Sequence, residues 1–91
     1  MLTLKDGKEV EIKLTFKDLY KLEKDKPELA KEYFNLQKKP ELTELDMVKV
    51  IYVGYIVAGN EYVEFEDFLD LISNNRNTTL SAYYELIYPK N

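Results

Sequence analysis

The first fourteen residues alternate apolar and polar side chains. Residues 2–4 and 10–14 each follow this two-residue period, which is typical of β-strands. Between them lies Asp6-Gly7, a dipeptide that tolerates the positive φ angles of a tight turn. The pattern predicts a β-hairpin over residues 2–14, packed on other elements because an isolated hairpin is marginally stable.

Two threonines predict the starts of helices. Each is followed three residues later by an aspartate, Thr15 by Asp18 and Thr43 by Asp46. This is the spacing of the two partners in an N-terminal capping box. Pro27 interrupts the first helix and is favoured in the first turn of a second one. The rest of the apolar pattern predicts helices over residues 27–38, 45–58, 65–73 and 79–88. The β-branched residues within 48–57 would also suit a buried strand, but the capping and the length of the segment favour a helix.

The apolar spacing also predicts which side of each helix is buried. Pro89 stops the last helix, and Asn74–Asn77 form a polar loop before it. The predicted buried residues are Phe16, Leu19, Tyr20 and Leu22; Leu29, Ala30, Tyr33, Phe34 and Leu36; Phe65, Phe68, Leu69 and Ile72; and Leu80, Tyr83, Tyr84 and Ile87. The fold class expected is α+β and mostly helical, with an N-terminal β-hairpin followed by four to five packed α-helices in one domain, residues 1–91.

The charge of the chain and its lack of cysteine and histidine exclude several classes of function. The 91-residue chain carries 13 basic and 17 acidic residues, and it contains neither cysteine nor histidine. Binding to nucleic-acid phosphates is therefore disfavoured, and thiolate or imidazole chemistry is excluded. Acidic residues cluster between 61 and 70, but they lack the spacing of a calcium loop. The acidic residues of this cluster are Glu61, Glu64, Glu66, Asp67 and Asp70. We expect no enzymatic activity, no metal and no cofactor.

The sequence indicates neither a secretory signal nor a membrane-spanning helix. Residues 1–7 lack the basic start and apolar run of a secretory signal. The longest apolar stretch, residues 47–58, covers about half of the roughly 20 residues that a membrane-spanning helix needs. A soluble protein acting in the cytoplasm is expected, without membrane partners.

Tyrosine is unusually frequent, with eight residues in the chain and no tryptophan. A tyrosine has an apolar ring and a polar hydroxyl, which suits both the margin of a small core and a protein interface. Most of the eight are expected at the core margin. In the last helix, Tyr83 and Tyr84 are expected to face inward, with Leu86 and Tyr88 pointing partly outward. The candidate partner-binding residues are Tyr83, Tyr84, Leu86, Ile87 and Tyr88.

The order of these segments resembles the tail assembly chaperones of long-tailed bacteriophages and prophages, of the type found in Gram-positive hosts. The resemblance is carried by the hairpin around Asp6-Gly7, by the sequences TFKDLYKLE at 15–23 and MVKVIYVGY at 47–55, and by FEDFL at 65–69 and YYELI at 83–87. It covers most of the chain as a pattern of elements and includes no diagnostic motif. No catalytic residue is implied by it.

The resemblance implies a protein that binds the phage tape-measure protein, recruits tail-tube subunits in the cytoplasm of the bacterial host and is absent from the finished virion. It also implies a homo-oligomer, and pairing of hairpin edges between neighbouring chains is one way to form it. An end near residue 91 would suit a short form made beside a frameshifted longer one. The alternative is another phage structural or adaptor protein, such as a head-tail component or an acidic inhibitor.

Overall fold

The computed structural model describes residues 1–88 and contains a short strand pair followed by five α-helices. The predicted fold class, α+β and mostly helical, is confirmed. The middle segment, for which a strand was the alternative, is a helix of 14 residues. The elements are β1 (Leu2–Thr3), β2 (Glu9–Val10), α1 (Phe16–Asp25), α2 (Pro27–Gln37), α3 (Glu44–Val57), α4 (Phe65–Leu71) and α5 (Arg76–Ile87).

The hairpin turns where the Asp6-Gly7 dipeptide predicted it. Strands β1 and β2 are antiparallel, with Leu2 opposite Val10. Gly7 has a φ angle of 90°, in the region that a side chain disfavours. The turn is closed by the Leu4 amide, which donates to the Lys8 carbonyl at 2.7 Å.

The second strand is shorter than predicted, because its continuation binds to α3 and to the loop after it instead of β1. The Lys13 amide donates to the Gly54 carbonyl at 3.3 Å. The Asn60 side-chain amide donates to the Glu11 carbonyl at 2.7 Å. Residues 11–15 therefore run alongside α3 without strand pairing, and the prediction of a strand to Leu14 was wrong.

The end of α4 was also predicted too late. The helix ends at Leu71 because Ile72 adopts an extended conformation and forms a bridge with Leu4. The Lys5 amide donates to the Leu71 carbonyl at 2.7 Å. Residues 71–73 thus cover the outer edge of β1, and that edge is unavailable for the predicted pairing between chains.

Both predicted capping boxes are confirmed. In α1, Thr15 Oγ1 accepts from the Asp18 amide at 3.2 Å, and the Asp18 carboxylate accepts from the Thr15 amide at 2.9 Å. Thr43 and Asp46 repeat this pair at the start of α3. Pro27 is the first residue of α2, as predicted. Each cap satisfies amides that have no carbonyl partner within the helix.

The core is built around α3, which is buried on most sides. Tyr52 and Tyr55 lie inside, and their hydroxyls donate to backbone carbonyls of residues 63 and 61 at 2.6 and 2.9 Å. Both rings pack against Phe68, which is fully buried. The other buried apolar residues are Leu2, Leu22, Ala30, Val50, Ile51, Val53, Ile72, Ala82 and Tyr83.

Four aromatic residues predicted to be buried are exposed instead: Phe16, Tyr20, Phe34 and Tyr84. The inner side of α1 is occupied by Leu22 and the partly buried Leu19, which pack against Ala30 and Val53 of the neighbouring helices. Since α1 is covered on the side of Leu19 and Leu22 alone, Phe16 and Tyr20 on its other side face outward.

Helix α5 begins three residues before the predicted start. Asn75 acts as its N-cap, and the Asn75 Oδ1 atom accepts from the Thr78 amide at 3.2 Å. Thr79, the predicted first residue, is instead buried in the second turn and donates its hydroxyl to the Ser73 carbonyl at 3.1 Å. The predicted stop at Pro89 lies outside the described residues.

Candidate protein-binding site

The candidate residues of α5 divide into an inner and an outer set. Tyr83 is 7% exposed and packs into the core, and its pKa is raised, chiefly by burial. Leu86 is partly buried over α3. Tyr84, Ile87 and Tyr88 are exposed, and the Tyr84 ring meets the Tyr83 ring edge-on with centroids 5.5 Å apart.

This division differs from the predicted one, in which Tyr84 and Ile87 belonged to the buried stripe and Leu86 pointed partly outward; the prediction was wrong for these three residues. The buried stripe of α5 is formed by Thr79, Ala82, Tyr83 and the partly buried Leu86. Gly54 explains the difference: without a side chain on α3 at this point, Leu86 reaches the backbone of α3. Tyr84 is then turned outward, because it follows Tyr83 by one residue and successive helical residues point about 100° apart.

Leu86 and Ile87 line one side of an open groove of about 540 Å³, here called the C-terminal groove. The extended residues 12–15 and the start of α1 form its second side, and the end of α2 forms the third. Burial raises the pKa of Tyr33, whose ring stands in the wall. The lining residues are Ile12, Lys13, Leu14, Thr15, Phe16, Leu19, Tyr33, Gln37, Glu85, Leu86 and Ile87.

The sequence-based prediction missed the contribution of α1 to this site. Phe16 is 91% exposed and lines the groove, and Tyr20, one turn later, is 60% exposed. The sequence did contain a sign that Phe16 and Tyr20 face outward. They fall on the same side of a helix as Lys17 and Lys24, and Leu22 falls on the opposite side. Exposed aromatic residues beside an apolar groove are typical of protein interfaces.

A second groove, of about 730 Å³, lies between the starts of α3 and α5. Its walls include Leu45, which is 63% exposed, and the ion pair of Arg76 with Glu44 at 3.5 Å. It has no aromatic residue in its lining. The C-terminal groove is therefore the better candidate for a protein-binding site, although it is smaller.

The acidic segment does not assemble a metal site within the described residues. Glu61, Glu64, Glu66, Asp67 and Asp70 are all exposed. Across residues 1–88, no three side chains of the metal-binding types lie close enough together to hold an ion. None of the helices in this range is both long and apolar enough to cross a membrane.

The described residues therefore offer a surface for binding, with the exposed ring of Phe16 in the wall of a groove of mostly apolar side chains. No protein-family model, curated protein or solved structure matches the chain. The role of the C-terminal groove is accordingly inferred from its shape, its exposed side chains and its charge.

Proposed function

We propose that this chain is a non-enzymatic tail assembly chaperone, which binds the tape-measure protein of a long-tailed phage through the C-terminal groove and recruits tail-tube subunits. The observation that carries the binding role is the 91% exposure of Phe16 in the lining of a groove that also contains Leu14, Leu86 and Ile87. Exposed aromatic clusters are costly in water and gain free energy when a partner covers them.

The groove is suited to an amphipathic helix. Such a helix binds by placing apolar side chains from successive turns in a hydrophobic groove. A volume of about 540 Å³ lies within the range of small binding pockets, roughly 300–1,000 Å³, and has room for a few side chains of one helical face. A contact of this size is reversible, as a chaperone that leaves the finished tail requires.

The order of elements supports the choice of partner. A hairpin followed by five helices is the arrangement on which the resemblance to tail assembly chaperones rests. A tape-measure protein presents long helical apolar surface during assembly, and a small domain with an apolar groove would cover part of it. Several copies along one tape-measure chain would multiply a weak individual affinity.

Co-purification tests this function. A tagged form of the chain is co-expressed with the tape-measure protein of the phage or prophage that encodes it, and the amount recovered on the tag is measured. Phe16→Ser removes an exposed ring at the first position of α1, and Leu45→Ser is the matched control, an exposed apolar residue near the start of α3.

We expect wild type and Leu45→Ser to retain the tape-measure protein and Phe16→Ser to lose most of it. Absence of the tape-measure protein from the wild-type eluate would refute the proposed partner. Equal losses with both variants would refute the assignment of the C-terminal groove.

A head-tail component or an acidic inhibitor is the second candidate. The inhibitor is the one favoured by the charge of residues 40–70, which contain eight acidic residues and one lysine. A structural component would remain in purified virions, whereas a chaperone would be absent from them. Mass spectrometry of virions therefore separates a structural role from the chaperone role, and an inhibitor would instead be recovered with a nucleic-acid-binding protein.

A further inference from the structure

Most of the exposed large apolar side chains lie around the C-terminal groove. Two of them line the groove on different sides. Others adjoin it through two tyrosines: the Tyr33 ring, which lines the groove, contacts one exposed ring at 5.4 Å, and the Tyr83 ring contacts another at 5.5 Å. The exposed members, here called the aromatic patch, are Phe16, Phe34, Tyr84, Ile87 and Tyr88.

The aromatic patch is large enough for a weak dimer interface. The exposed fractions of its five side chains range from 37% to 91%. Since an aromatic side chain presents about 200 Å², the patch exposes about 600 Å² on one copy. Two copies would together bury about 1,200 Å², which is the lower limit for a specific interface. A contact of this size is reversible.

The same surface carries both a protrusion and a depression. A two-fold interface uses one surface twice, so that surface must be complementary to itself. Phe16 is the first residue of α1 and projects from the wall of the groove with 91% of its surface exposed. The groove itself, about 540 Å³ in volume, is lined mostly by apolar side chains and has room for the Phe16 ring of a second copy.

The charges of the groove are also complementary to themselves. Lys13 and Glu85 are the two charged lining residues, and they stand on different sides. Each has a partner within the chain, Asp18 at 4.0 Å and the Met1 ammonium at 2.9 Å, but each side chain remains about half exposed. When the two-fold axis runs along the groove, each side faces the other side of the second copy, and Lys13 faces Glu85 twice. An axis across the groove would bring like charges together.

We propose that, in the absence of the tape-measure protein, two copies of the chain form a two-fold dimer in which their C-terminal grooves face each other. Phe16 of each copy enters the groove of the other, and the tape-measure protein later displaces the second copy. The displacement rests on the proposed function, in which the same groove binds that protein. The dimer protects the aromatic patch from water until then.

Two other surfaces of the described residues are less suited to a contact between copies. The outer edge of β1 is covered by residues 71–73, so hairpin edges cannot pair there. The second groove has no aromatic lining residue, and Leu45 is the one large apolar side chain in it that is exposed. The C-terminal groove is therefore the surface that gains most from a second copy.

Charge-reversed variants test the arrangement, with the dissociation constant of the dimer measured by sedimentation velocity over a range of concentrations. Lys13→Glu places two like-charged pairs in the dimer, and so does Glu85→Lys. An equimolar mixture of the two variants restores both opposite-charge pairs between different chains. Lys8→Glu is the matched control, because it reverses an exposed charge near the hairpin turn, outside the groove lining. Thermal unfolding checks that every variant is folded.

We expect each charge variant alone to dimerise at least about tenfold more weakly than wild type, and the mixture to return to within about threefold of it. Phe16→Ser should also weaken the dimer at least about tenfold, because two buried rings are lost. Lys8→Glu should dimerise like wild type. Adding the tape-measure protein to wild type should replace the dimer by a complex that contains one copy at each binding site.

The outcomes that would overturn the proposal differ in what they imply for the proposed function. A wild-type chain that stays monomeric at about 1 mM would reject the dimer, and co-purification would still decide the function. A dimer unaffected by Phe16→Ser and by both charge variants would reject this interface. Binding of the tape-measure protein to an intact dimer would reject the shared groove. A dimer with the expected properties that does not bind the tape-measure protein would reject the displacement together with the proposed function.

Discussion

The Leu86 side chain of α5 lies directly over Gly54 of α3. A Cβ atom placed on Gly54 would come 3.0 Å from Leu86 Cδ1 and 3.2 Å from its Cδ2, closer than carbon atoms normally approach. Gly54 is buried in the middle of α3, where glycine costs about 1 kcal/mol of helix stability relative to alanine. That cost is offset by the close contact between the two helices, which also positions Leu86 in one side of the C-terminal groove.

This contact predicts that Gly54→Ala changes the free energy of unfolding in opposite directions when Leu86 is present and when it is replaced by alanine. Gly54→Ala in the wild type should lower the free energy of unfolding, because overpacking costs about 1–3 kcal/mol and exceeds the gain in helix propensity. In a Leu86→Ala background the same change should raise it by about 1 kcal/mol. Urea unfolding of the four proteins measures both effects, and the same sign in both backgrounds would show that Leu86 does not limit the space at Gly54.

Tyr52→Phe should destabilise the protein by about 1 kcal/mol, because it removes the hydroxyl that donates to the Val63 carbonyl at 2.6 Å. The ring and its edge-on contacts with Phe65 and Phe68 remain. Tyr20→Phe is the control, since the Tyr20 side chain is exposed, and should leave the unfolding midpoint nearly unchanged. Equal midpoints for all three proteins would mean that the hydroxyl bond makes no net contribution.

Alkaline pH should unfold the protein through its buried tyrosines. Burial raises the pKa values of Tyr33, Tyr52, Tyr55 and Tyr83 above the ordinary value near 10. The unfolded chain therefore releases these protons first, so their contribution to stability is complete below about pH 10 and declines as the pH rises above it. Thermal unfolding between pH 8 and 12 measures the decline, which should be shallower in Tyr52→Phe.

Acid should weaken the start of α3 through Asp46. A hydrogen bond from Lys39 at 2.8 Å and another from the Thr43 amide lower the Asp46 pKa. Since the folded state has the lower pKa, the contribution of Asp46 is present above its ordinary value near 4 and is lost as the pH falls through the folded value. Lys39→Met should lower the melting temperature at pH 7 but not at pH 2, and a difference that persisted in acid would point to another cause.

Phe16→Ser should change the free energy of unfolding by less than about 0.5 kcal/mol, because the ring is 91% exposed. Phe68→Ala, in the fully buried centre of the core, should lower it by about 3–5 kcal/mol. Chemical unfolding compares the two. A large loss with Phe16→Ser would mean that the ring supports the fold, and its effect on binding would then need to be measured at matched stability.

Local patterns were sufficient for the starts of three helices and for the hairpin turn. Thr15 and Thr43 accept from amides within one turn of themselves, and Pro27 and Gly7 act through their own φ angles. These interactions are complete within three or four residues. They are therefore readable without knowledge of what packs around them.

The ends of elements were less predictable where they depend on distant partners. The second strand stops after Val10 because Gly54 and Asn60 take its hydrogen-bonding groups, and α4 stops at Leu71 because Ile72 bridges to Leu4. In each case the partner is at least 40 residues away in the chain. No periodicity within the segment itself contains this information.

The candidate site shows the same division. The sequence by itself determined that α1 and α5 are amphipathic, that Tyr83, Ile87 and Tyr88 stand near the end of the last helix, and that no histidine or cysteine is present for chemistry. Only the tertiary structure decided that Leu86 turns inward over Gly54 and that Phe16 remains outside to border the same groove. The physical reason is that a helix has more apolar residues than one neighbour can cover, so the shape of that neighbour selects which of them are buried and which stay available to a partner.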